Sequence, residues 1–301
     1  MKIAILTTSP KSYKAKRLAE EAIKRGHKVV KINYTKCYCS IVKGKPAIFY
    51  NGKQLKAVDA VIPLISVETT GYGTAIIRQF EMMNVPTTTG SLAFIRSRDK
   101  IRSLQLLAKL GLDIPRTVFA HTTGDAAEIV KMVGGSPVII KVTQGSLGRG
   151  VMLAESSKSA RSAIEAFFSQ KVNILVQEYI EESEGSDIRA FVIDGKVFAS
   201  IKRSAAEGEF RSNIYQGGSA QPIKLNKEER QLAIKAAKAM HLNIAGVDLV
   251  QSARGPLVME VNASPNIGGV EEATGKNIAG EMIAYIERSS RKRKKKDVVG
   301  A

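Results

Sequence analysis

Cysteine and histidine are scarce in this chain of 301 residues, which contains two cysteines and three histidines. Cys37 and Cys39 are one residue apart, which is too close for an ordinary structural disulfide, and two cysteines are too few for a tetrahedral zinc site. His27, His121 and His241 are scattered, with no metal-ligand spacing among them. We therefore expect neither a zinc centre nor a Cys–His or Ser–His pair for nucleophilic catalysis.

Long hydrophobic runs are also absent. No apolar run approaches the ~20 residues that a membrane-spanning helix needs. Residues 1–6 are followed too soon by polar residues to be a signal peptide, and no small-residue cleavage site follows. Because 44% of the residues are hydrophobic, the composition is typical of soluble globular proteins. We expect a cytoplasmic protein with no membrane partner, folded into two or three compact units.

Acidic residues are outnumbered by basic ones, 28 to 46, and the formal net charge is +18. The segment 291–297 contributes +5 of this charge, so the rest of the chain still carries +13. A basic body indicates an anionic partner, which can be a nucleic acid, a nucleotide or an acidic protein segment. We expect the basic tail itself, residues 291–301, to be disordered and solvated.

Residues 1–90 show the pattern of a doubly wound α/β domain. Apolar strands at Lys2–Thr7 and 27–33 flank an amphipathic helix at 12–25, which forms a βαβ unit. The loop after the first strand lacks the G-x-G-x-x-G motif, so we do not expect a nicotinamide dinucleotide there. Residues 84–87 are expected to form an edge strand that closes the domain.

Beyond residue 90 the pattern changes to strands joined by local hairpins, which favours mixed or antiparallel sheets. A helix is expected over residues 91–110, and one hairpin is expected over residues 187–201. A second hairpin is expected over 246–265, followed by a loop at 266–269 and a last helix.

Acidic and amide side chains interrupt the apolar strands of the 246–265 hairpin. Glu260 and Asn262 point to the same face because side chains alternate along a strand, and Asp248 on the partner strand can join them. Three hard oxygen ligands suit Mg²⁺, especially when the phosphates of a nucleotide complete the coordination. The alternative is a half-buried hairpin with one solvent-exposed face. An uncompensated carboxylate in an apolar strand is costly, which favours the metal site.

A glycine-rich segment with Gly145, Gly148 and Gly150 lies between two strands, and Lys141 precedes it at a strand end. Backbone amides of such a loop can approach phosphates closely, and the lysine can hold a phosphate. The segment is not a Walker A loop, because it lacks the G-x-x-x-x-G-K-[ST] pattern. A plain glycine hairpin is the alternative.

Three further groups of residues are candidates for nucleotide binding. Glu178 and Tyr179 end a buried strand that could present its backbone to an adenine edge, and Asp187 could accept hydrogen bonds from ribose hydroxyls. The segment 211–213 is a cluster of hydrogen-bond donors that could stabilise transferring charge. The alternatives are an ordinary strand that runs onto the surface and a surface loop.

In this order and spacing, the motifs resemble the ATP-grasp superfamily of carboxylate–amine ligases. They resemble most closely the RimK family, whose members add glutamates to the C-terminal tail of a small-subunit ribosomal protein. The resemblance covers residues 1 to about 288 and is carried by Asp99-Lys100-x-Arg102, Phe210-Arg211-Ser212-Asn213, Ala245-Gly246-Val247-Asp248 and Met259-Glu260-Val261-Asn262-Ala263-Ser264-Pro265. The basic tail is not recognised as a family feature.

The resemblance implies a doubly wound pre-ATP-grasp domain at 1–90 and a two-lobed ATP-grasp fold with mixed or antiparallel sheets. The central lobe would span 91–185 and the C-terminal lobe 186–290. The implied ATP-binding residues are Lys100, Lys141, Glu178, Tyr179, Asp187, Arg211, Ser212 and Asn213. Of these, Arg211 and Asn213 would also be catalytic, and the implied metal ligands are Asp248, Glu260 and Asn262.

The resemblance also implies the activity, that of an ATP-dependent alpha-L-glutamate ligase acting through an acyl-phosphate. The cofactors would be ATP and two Mg²⁺ ions, for which Mn²⁺ can substitute. The partners would be L-glutamate and an acidic ribosomal protein tail, with no specific nucleic acid and a homotetrameric assembly. Alternatives are a ligase for a small acceptor, such as a deazaflavin coenzyme or an amino-acid-biosynthesis carrier, and a non-catalytic nucleic-acid or ribosome-binding protein.

Overall fold

The computed structural model describes residues 1–121, 125–142, 150–206, 209 and 217–292, and its N-terminal part is built on a parallel sheet. In chain order the elements of this part are β1 (Lys2–Thr7), α1 (Tyr13–Lys24), β2 (Lys28–Ile32), β3 (Cys37–Ser40), β4 (Ala47–Tyr50), β5 (Lys53–Gln54), β6 (Ala60–Leu64), α2 (Thr70–Met82) and α3 (Ser91–Arg98). The parallel sheet has the order β2-β1-β6, and β3, β4 and β5 form a small antiparallel sheet. The βαβ unit expected from the sequence is confirmed.

Helix α1 forms because its sequence supplies both a cap and an apolar stripe. The Ser12 hydroxyl accepts the Ala15 amide at 3.4 Å, which satisfies one of the N–H groups left open at a helix start. Leu18, Ala19 and Ala22 recur at helical spacing and are buried.

Residues 84–87 contribute one isolated parallel bridge, between Val61 and Thr87, so the expected pairing at the sheet edge forms but does not extend into a strand. Asn84 has a φ of +57°, which is incompatible with a strand, and Pro86 has no N–H to donate.

Asp99 divides the helix that was expected over residues 91–110 into α3 and α4 (Lys100–Lys109). Its backbone is extended, and its Oδ1 accepts the Arg102 amide at 3.0 Å as the N-cap of α4. The prediction of one continuous helix was wrong because a strong N-cap residue inside the run favours a new helix start. Arg98 and Lys100 consequently lie on successive helices at the break.

The central lobe is an antiparallel sheet with a core of its own. Its elements are β7 (Thr117–Ala120), α5 (Ala126–Met132), β8 (Val138–Val142), β9 (Val151–Ala154), α6 (Ser157–Ser169) and β10 (Ile174–Glu178). The strand order is β7-β10-β8-β9. Ile129 of α5 and Ile164 of α6 pack with Ile140 and Val176 of the sheet in one buried cluster.

The C-terminal lobe contains both predicted hairpins in one antiparallel sheet. Its elements are β11 (Ser186–Ile193), β12 (Lys196–Ser204), β13 (Ser219–Pro222), α7 (Lys227–Ala239), β14 (Ile244–Ser252), β15 (Gly255–Asn262), α8 (Gly268–Thr274) and α9 (Ile278–Lys292). The strand order is β13-β12-β11-β14-β15. Helix α8 begins inside the segment 266–269 that was expected to be a loop. A Cβ at Gly268 would lie 3.3 Å from the Tyr13 ring, so glycine here permits a close approach of α8 to α1.

The N-terminal sheet and the C-terminal lobe share an apolar core. Ile3 and Ile5 of β1 lie in the same buried cluster as Phe191 of β11, Ile244 of β14 and Ile283 of α9. This shared core fixes the carboxyl edge of the parallel sheet relative to the antiparallel sheet of the C-terminal lobe. In the described part of the chain, no helix is both long and apolar enough to cross a membrane.

Candidate functional site

A β-bulge in the β14–β15 hairpin decides which side chains share one face of the C-terminal sheet. From the turn, the register pairs Leu249 with Val258 and then shifts by one residue, so that Asp248 lies opposite Glu260. Without the shift Asp248 would lie opposite Met259, on the other face of the sheet. Gly246 pairs with Asn262 on the same face. The bulge thus brings together Asp248, Glu260 and Asn262, as the alternation along β15 led us to expect.

A second bulge, between Phe191 and Val192, acts in the same way on the β11–β12 hairpin. It places Arg203 of β12 opposite Asp187 of β11. Arg189 of β11 lies opposite Asp248 in the neighbouring pair. Bulges re-aim side chains and are common next to active sites. Four strands consequently contribute charged side chains to one face.

These charges form a continuous ion-pair network. Arg189 donates through Nε and Nη2 to the two carboxylate oxygens of Asp248, at 2.7 and 2.6 Å. Arg203 donates through Nε and Nη2 to Asp187 at 2.6 and 2.5 Å, and its Nη2 lies 3.1 Å from Asp248 Oδ2. Neither arginine was a candidate in the sequence. Their positions opposite and diagonal to predicted residues follow only from the register.

Burial raises the pKa of Asp248, but Arg189 and Arg203 outweigh this effect and hold the pKa below its usual range. Burial likewise lowers the pKa of Arg203, and Asp248 and Asp187 more than compensate, so the pKa is raised. Asp248 and Arg203 therefore stabilise each other in their charged forms.

The oxygen donors on this face fit a hard divalent cation. A carboxylate has about four acceptor sites, and Asp248 Oδ1 accepts only the Nε of Arg189 in the described residues. Asn262 presents Nδ2 to Asp248 Oδ2 at 3.5 Å, so its Oδ1 is the atom that could ligate a cation. No group of three or more His, Cys, Asp or Glu side chains in the described ranges is placed to hold a metal ion. A cation here would need the Asn262 amide and oxygens of a bound phosphate.

Lysines from two other elements face the same centre. Lys141, the penultimate residue of strand β8 before the glycine segment, donates to Gln177 Oε1 at 2.6 Å. Burial lowers the pKa of Lys141 to about 8, which the Glu260 charge opposes and the Lys100 charge reinforces. Lys141, Lys100 and Glu260 are therefore electrostatic neighbours, although they come from different parts of the chain.

Glu178 joins the central lobe to the turn of the β14–β15 hairpin. Its Oε1 accepts the Arg116 amide at 2.7 Å and a hydrogen bond from Arg254, whose Nη1 also lies 3.2 Å from Oε2. Tyr179 follows β10 and is half-buried. The adenine and ribose roles of Glu178, Tyr179 and Asp187 stay predictions.

The remaining candidates lie largely outside the described residues. This applies to Gly145 and Gly148 of the glycine segment, to the donor cluster 211–213 and to the tail from residue 293 onward. Gly150 is described and has a φ of +72°, and a Cβ there would clash with the side chain of Val142. Glycine is therefore required at this end of the segment.

Comparison with known proteins accounts for almost the whole chain. Residues 1–94 match the model of the RimK PreATP-grasp domain, and residues 97–286 match that of the RimK-like ATP-grasp domain. A protein of Cellvibrio japonicus named "Probable alpha-L-glutamate ligase" is 52% identical over 291 residues, 97% of each chain.

Two solved structures have the same fold. The ATP-grasp ligase PsnB, complexed with a phosphomimetic variant of a minimal precursor, Mg and ADP, superposes with a TM-score of 0.74 at 20% identity. The match covers 96% of this chain and 98% of PsnB. The D-alanine–D-alanine ligase of Bacillus anthracis, complexed with ATP, gives a TM-score of 0.71 at 20% identity and covers 98% of this chain and 99% of its own.

Proposed function

Because the chain belongs to the RimK family of ATP-grasp ligases, we propose that this ATP-dependent ligase is an alpha-L-glutamate ligase acting on the C-terminal tail of a small-subunit ribosomal protein. The observation that carries this proposal is the charge of the site. In the described residues, five cations from separate elements outnumber the four carboxylates that interact with them, namely Arg98, Lys100, Lys141, Arg189 and Arg203 against Glu68, Asp187, Asp248 and Glu260. Such a surplus of positive charge suits a triphosphate together with a carboxylate substrate.

The chemistry follows from what an amide bond needs. A carboxylate is a poor electrophile, so an acceptor carboxylate oxygen attacks the γ-phosphorus of ATP and ADP leaves. The amine of L-glutamate then attacks the acyl-phosphate carbonyl, and phosphate leaves as the amide forms. No protein nucleophile is needed in this sequence, which agrees with the scattered histidines of the chain.

The chain's own residues would bind and orient the reactants. Lys100 and Lys141 would hold ATP phosphates at the end of β8, and the family pattern gives a similar task to residues 211–213. The glycine segment would exclude water from the acyl-phosphate. Asp248, Glu260 and Asn262 would hold Mg²⁺, which when bound neutralises charge on the phosphoryl oxygens.

The charge of the protein supports a peptide acceptor that ends in acidic residues. Outside the segment 291–297 the chain carries a formal charge of +13, and each added glutamate makes the acceptor more negative. PsnB, which has the same fold, was solved with a minimal precursor, so this fold can accommodate a peptide.

An assay with ATP, Mg²⁺, L-glutamate and candidate acceptors tests the proposal when ADP and acceptor mass are both measured. We expect ADP release together with mass increments of one glutamyl residue on the ribosomal protein tail. Increments on a small acceptor alone would replace the protein acceptor by the small one. No ADP release with any acceptor would refute the ligase function.

Substitution of Glu260 tests the metal ligands. We expect Glu260→Gln to lower kcat by about 10²-fold or more, because charge stabilisation at a reacting phosphoryl group is typically worth this much. Glu272→Gln, at an exposed position of α8, is the matched control and should stay within twofold of the parent. Unchanged activity of a folded Glu260→Gln protein would remove Glu260 from the site.

A further inference from the structure

Two half-buried cations at the carboxyl edge of the parallel sheet have neutral partners. Lys14, in the first turn of α1, donates through Nζ to Ser264 Oγ at 3.0 Å and to the Pro265 carbonyl at 2.8 Å. Arg98, at the end of α3, donates through Nη2 to the Ile65 carbonyl at 2.8 Å. Within the described residues, no carboxylate lies within 4.0 Å of either cationic head.

The pair lies where the order of the parallel sheet reverses. The chain passes from β1 to β2 on one side and later reaches β6 on the other side of β1. Open α/β sheets bind ligands in the crevice outside the carboxyl ends of the strands at such a switch point. Lys14 follows β1, and Ile65, the partner of Arg98, follows β6. After β2, the hydroxyl of Tyr34 forms hydrogen bonds with Ser66 at 3.2 Å and Thr69 at 2.7 Å, which tie the residue after β2 to the segment after β6.

The crevice borders the candidate reaction centre. The charges of Glu260 and Glu68 act on Arg98 and oppose the effect of its burial, which lowers its pKa. Ser264, a partner of Lys14, is two residues beyond Asn262. Burial lowers the pKa of Lys14 to about 7, and the charge of Arg98 lowers it further in the same direction. Two neighbouring cations with no carboxylate within 4.0 Å in the described residues are costly, and an anion bound directly to them would relieve that cost.

We propose that Lys14 and Arg98 bind a carboxylate of the incoming amino acid, an assignment that rests on the proposed ligase function. L-glutamate carries two carboxylates besides the amine that must reach the acyl-phosphate, and fixing one of them orients the amine. A guanidinium can pair with a carboxylate through two parallel hydrogen bonds, and a lysine adds a point charge. If the side-chain carboxylate is the one bound, the two residues also select an acidic amino acid over its amide.

Calorimetric titration of L-glutamate into the enzyme loaded with ADP and Mg²⁺ tests this assignment. We expect Lys14→Met and Arg98→Met each to weaken glutamate binding at least tenfold, while ADP affinity stays within twofold. Lys14→Arg should retain most of the affinity because it keeps the charge. Lys16→Met, on the exposed side of α1, is the matched control and should bind glutamate as the parent does.

Titrations with L-glutamine, which lacks the side-chain carboxylate, and with the α-amide of glutamate, which lacks the α-carboxylate, show which carboxylate is bound. The compound that lacks the bound carboxylate should bind at least tenfold more weakly than glutamate. Melting temperatures establish that each variant is folded, and Arg98→Gln replaces Arg98→Met if the latter does not fold. Unchanged glutamate affinity in the Lys14 and Arg98 variants, or no glutamate binding to the parent, would overturn the assignment. The proposed function fails separately, by the absence of ADP release from the parent enzyme.

Discussion

Replacing Arg203 with methionine should destabilise the C-terminal lobe strongly. Arg203 is 7% exposed and is the shared partner of Asp187 and Asp248. Methionine keeps much of the volume but removes the charge and all three contacts. Breaking a buried ion pair by removing one partner costs roughly 3–5 kcal/mol, because the other charge stays buried without compensation.

The structure places Arg203→Met near the lower end of that range. Asp248 keeps two hydrogen bonds from Arg189, and the Asp187 side chain is 17% exposed and can regain some hydration. We therefore expect a loss of about 3 kcal/mol in the free energy of unfolding. An unfolding entropy of ~2.1 cal/mol/K per residue gives roughly 0.6 kcal/mol/K for this chain, so Tm should fall by about 5 °C.

Thermal and urea unfolding of Arg203→Met beside Arg288→Met provide the assay. Arg288 pairs with Asp194 and Glu281 on the surface, with 44% of its side chain exposed, so its loss should cost less than about 1 kcal/mol. Adding Asp187→Asn to Arg203→Met removes a carboxylate charge that has lost its contacts with Arg203 and should restore part of the stability. If Arg203→Met costs no more than Arg288→Met, the ion-pair network does not stabilise the lobe as argued.

Three other predictions concern single groups. Burial lowers the pKa of Lys141 to about 8 in the nucleotide-free protein, so ATP affinity measured by fluorescence titration should fall several-fold from pH 7 to 9. Lys141→Arg should flatten this profile. An equally steep fall of ATP affinity in Lys141→Arg would contradict the assignment of the pH dependence to Lys141. The hydrogen bond from Arg25 lowers the pKa of Glu287 to about 2, so its stabilisation is complete above the unfolded value and is lost as pH falls towards 2. In urea unfolding, Glu287→Gln should cost about 1 kcal/mol at pH 6, after allowance for solvent screening, and less at pH 3. A Cβ at Gly246 would lie 2.6 Å from Pro265 Cβ, so Gly246→Ala should lose about 1–3 kcal/mol of stability and should lower activity. A fully active and stable variant would show that the segment around Pro265 can shift without cost.

Local patterns were sufficient to predict most of the fold. The βαβ opening, the two hairpins of the C-terminal lobe and the strand Val138–Val142 depend on alternation, helical spacing and turn residues that are all visible in the sequence. The errors had both local and distant causes. Asp99 caps a new helix and Asn84 has a positive φ, which are local effects, whereas the missing Cβ of Gly268 serves a contact with Tyr13 far away in the chain.

The charge network could not be predicted because the β11–β12 register depends on a bulge and the pairing of β11 with β14 joins distant parts of the chain. Counting back from the Asp194–Gly195 turn pairs Asp187 with Lys202, whereas the bulge pairs it with Arg203. Lys14 and Arg98 were missed for a similar reason, since their partners lie 250 and 33 residues away. Side-chain type in one segment carries no signal for contacts between separate parts of the fold.

The strand registers also explain why a basic site can hold carboxylates in apolar strands. The regular β11–β14 register places Arg189 opposite Asp248, and the bulge in the β11–β12 hairpin brings Arg203 to the same face. The two arginines neutralise Asp248 locally and offset the cost of its burial. Glu260, opposite Asp248, has no ion-pair partner within 4.0 Å in the described residues and instead feels the more distant charges of Lys141 and Arg98. Among the described residues, the cations near Glu260 that form no ion pair, Lys141 and Arg98, therefore belong to the central lobe and to the helix beside the parallel sheet. A triphosphate and an amino-acid carboxylate would have to meet near these two cations.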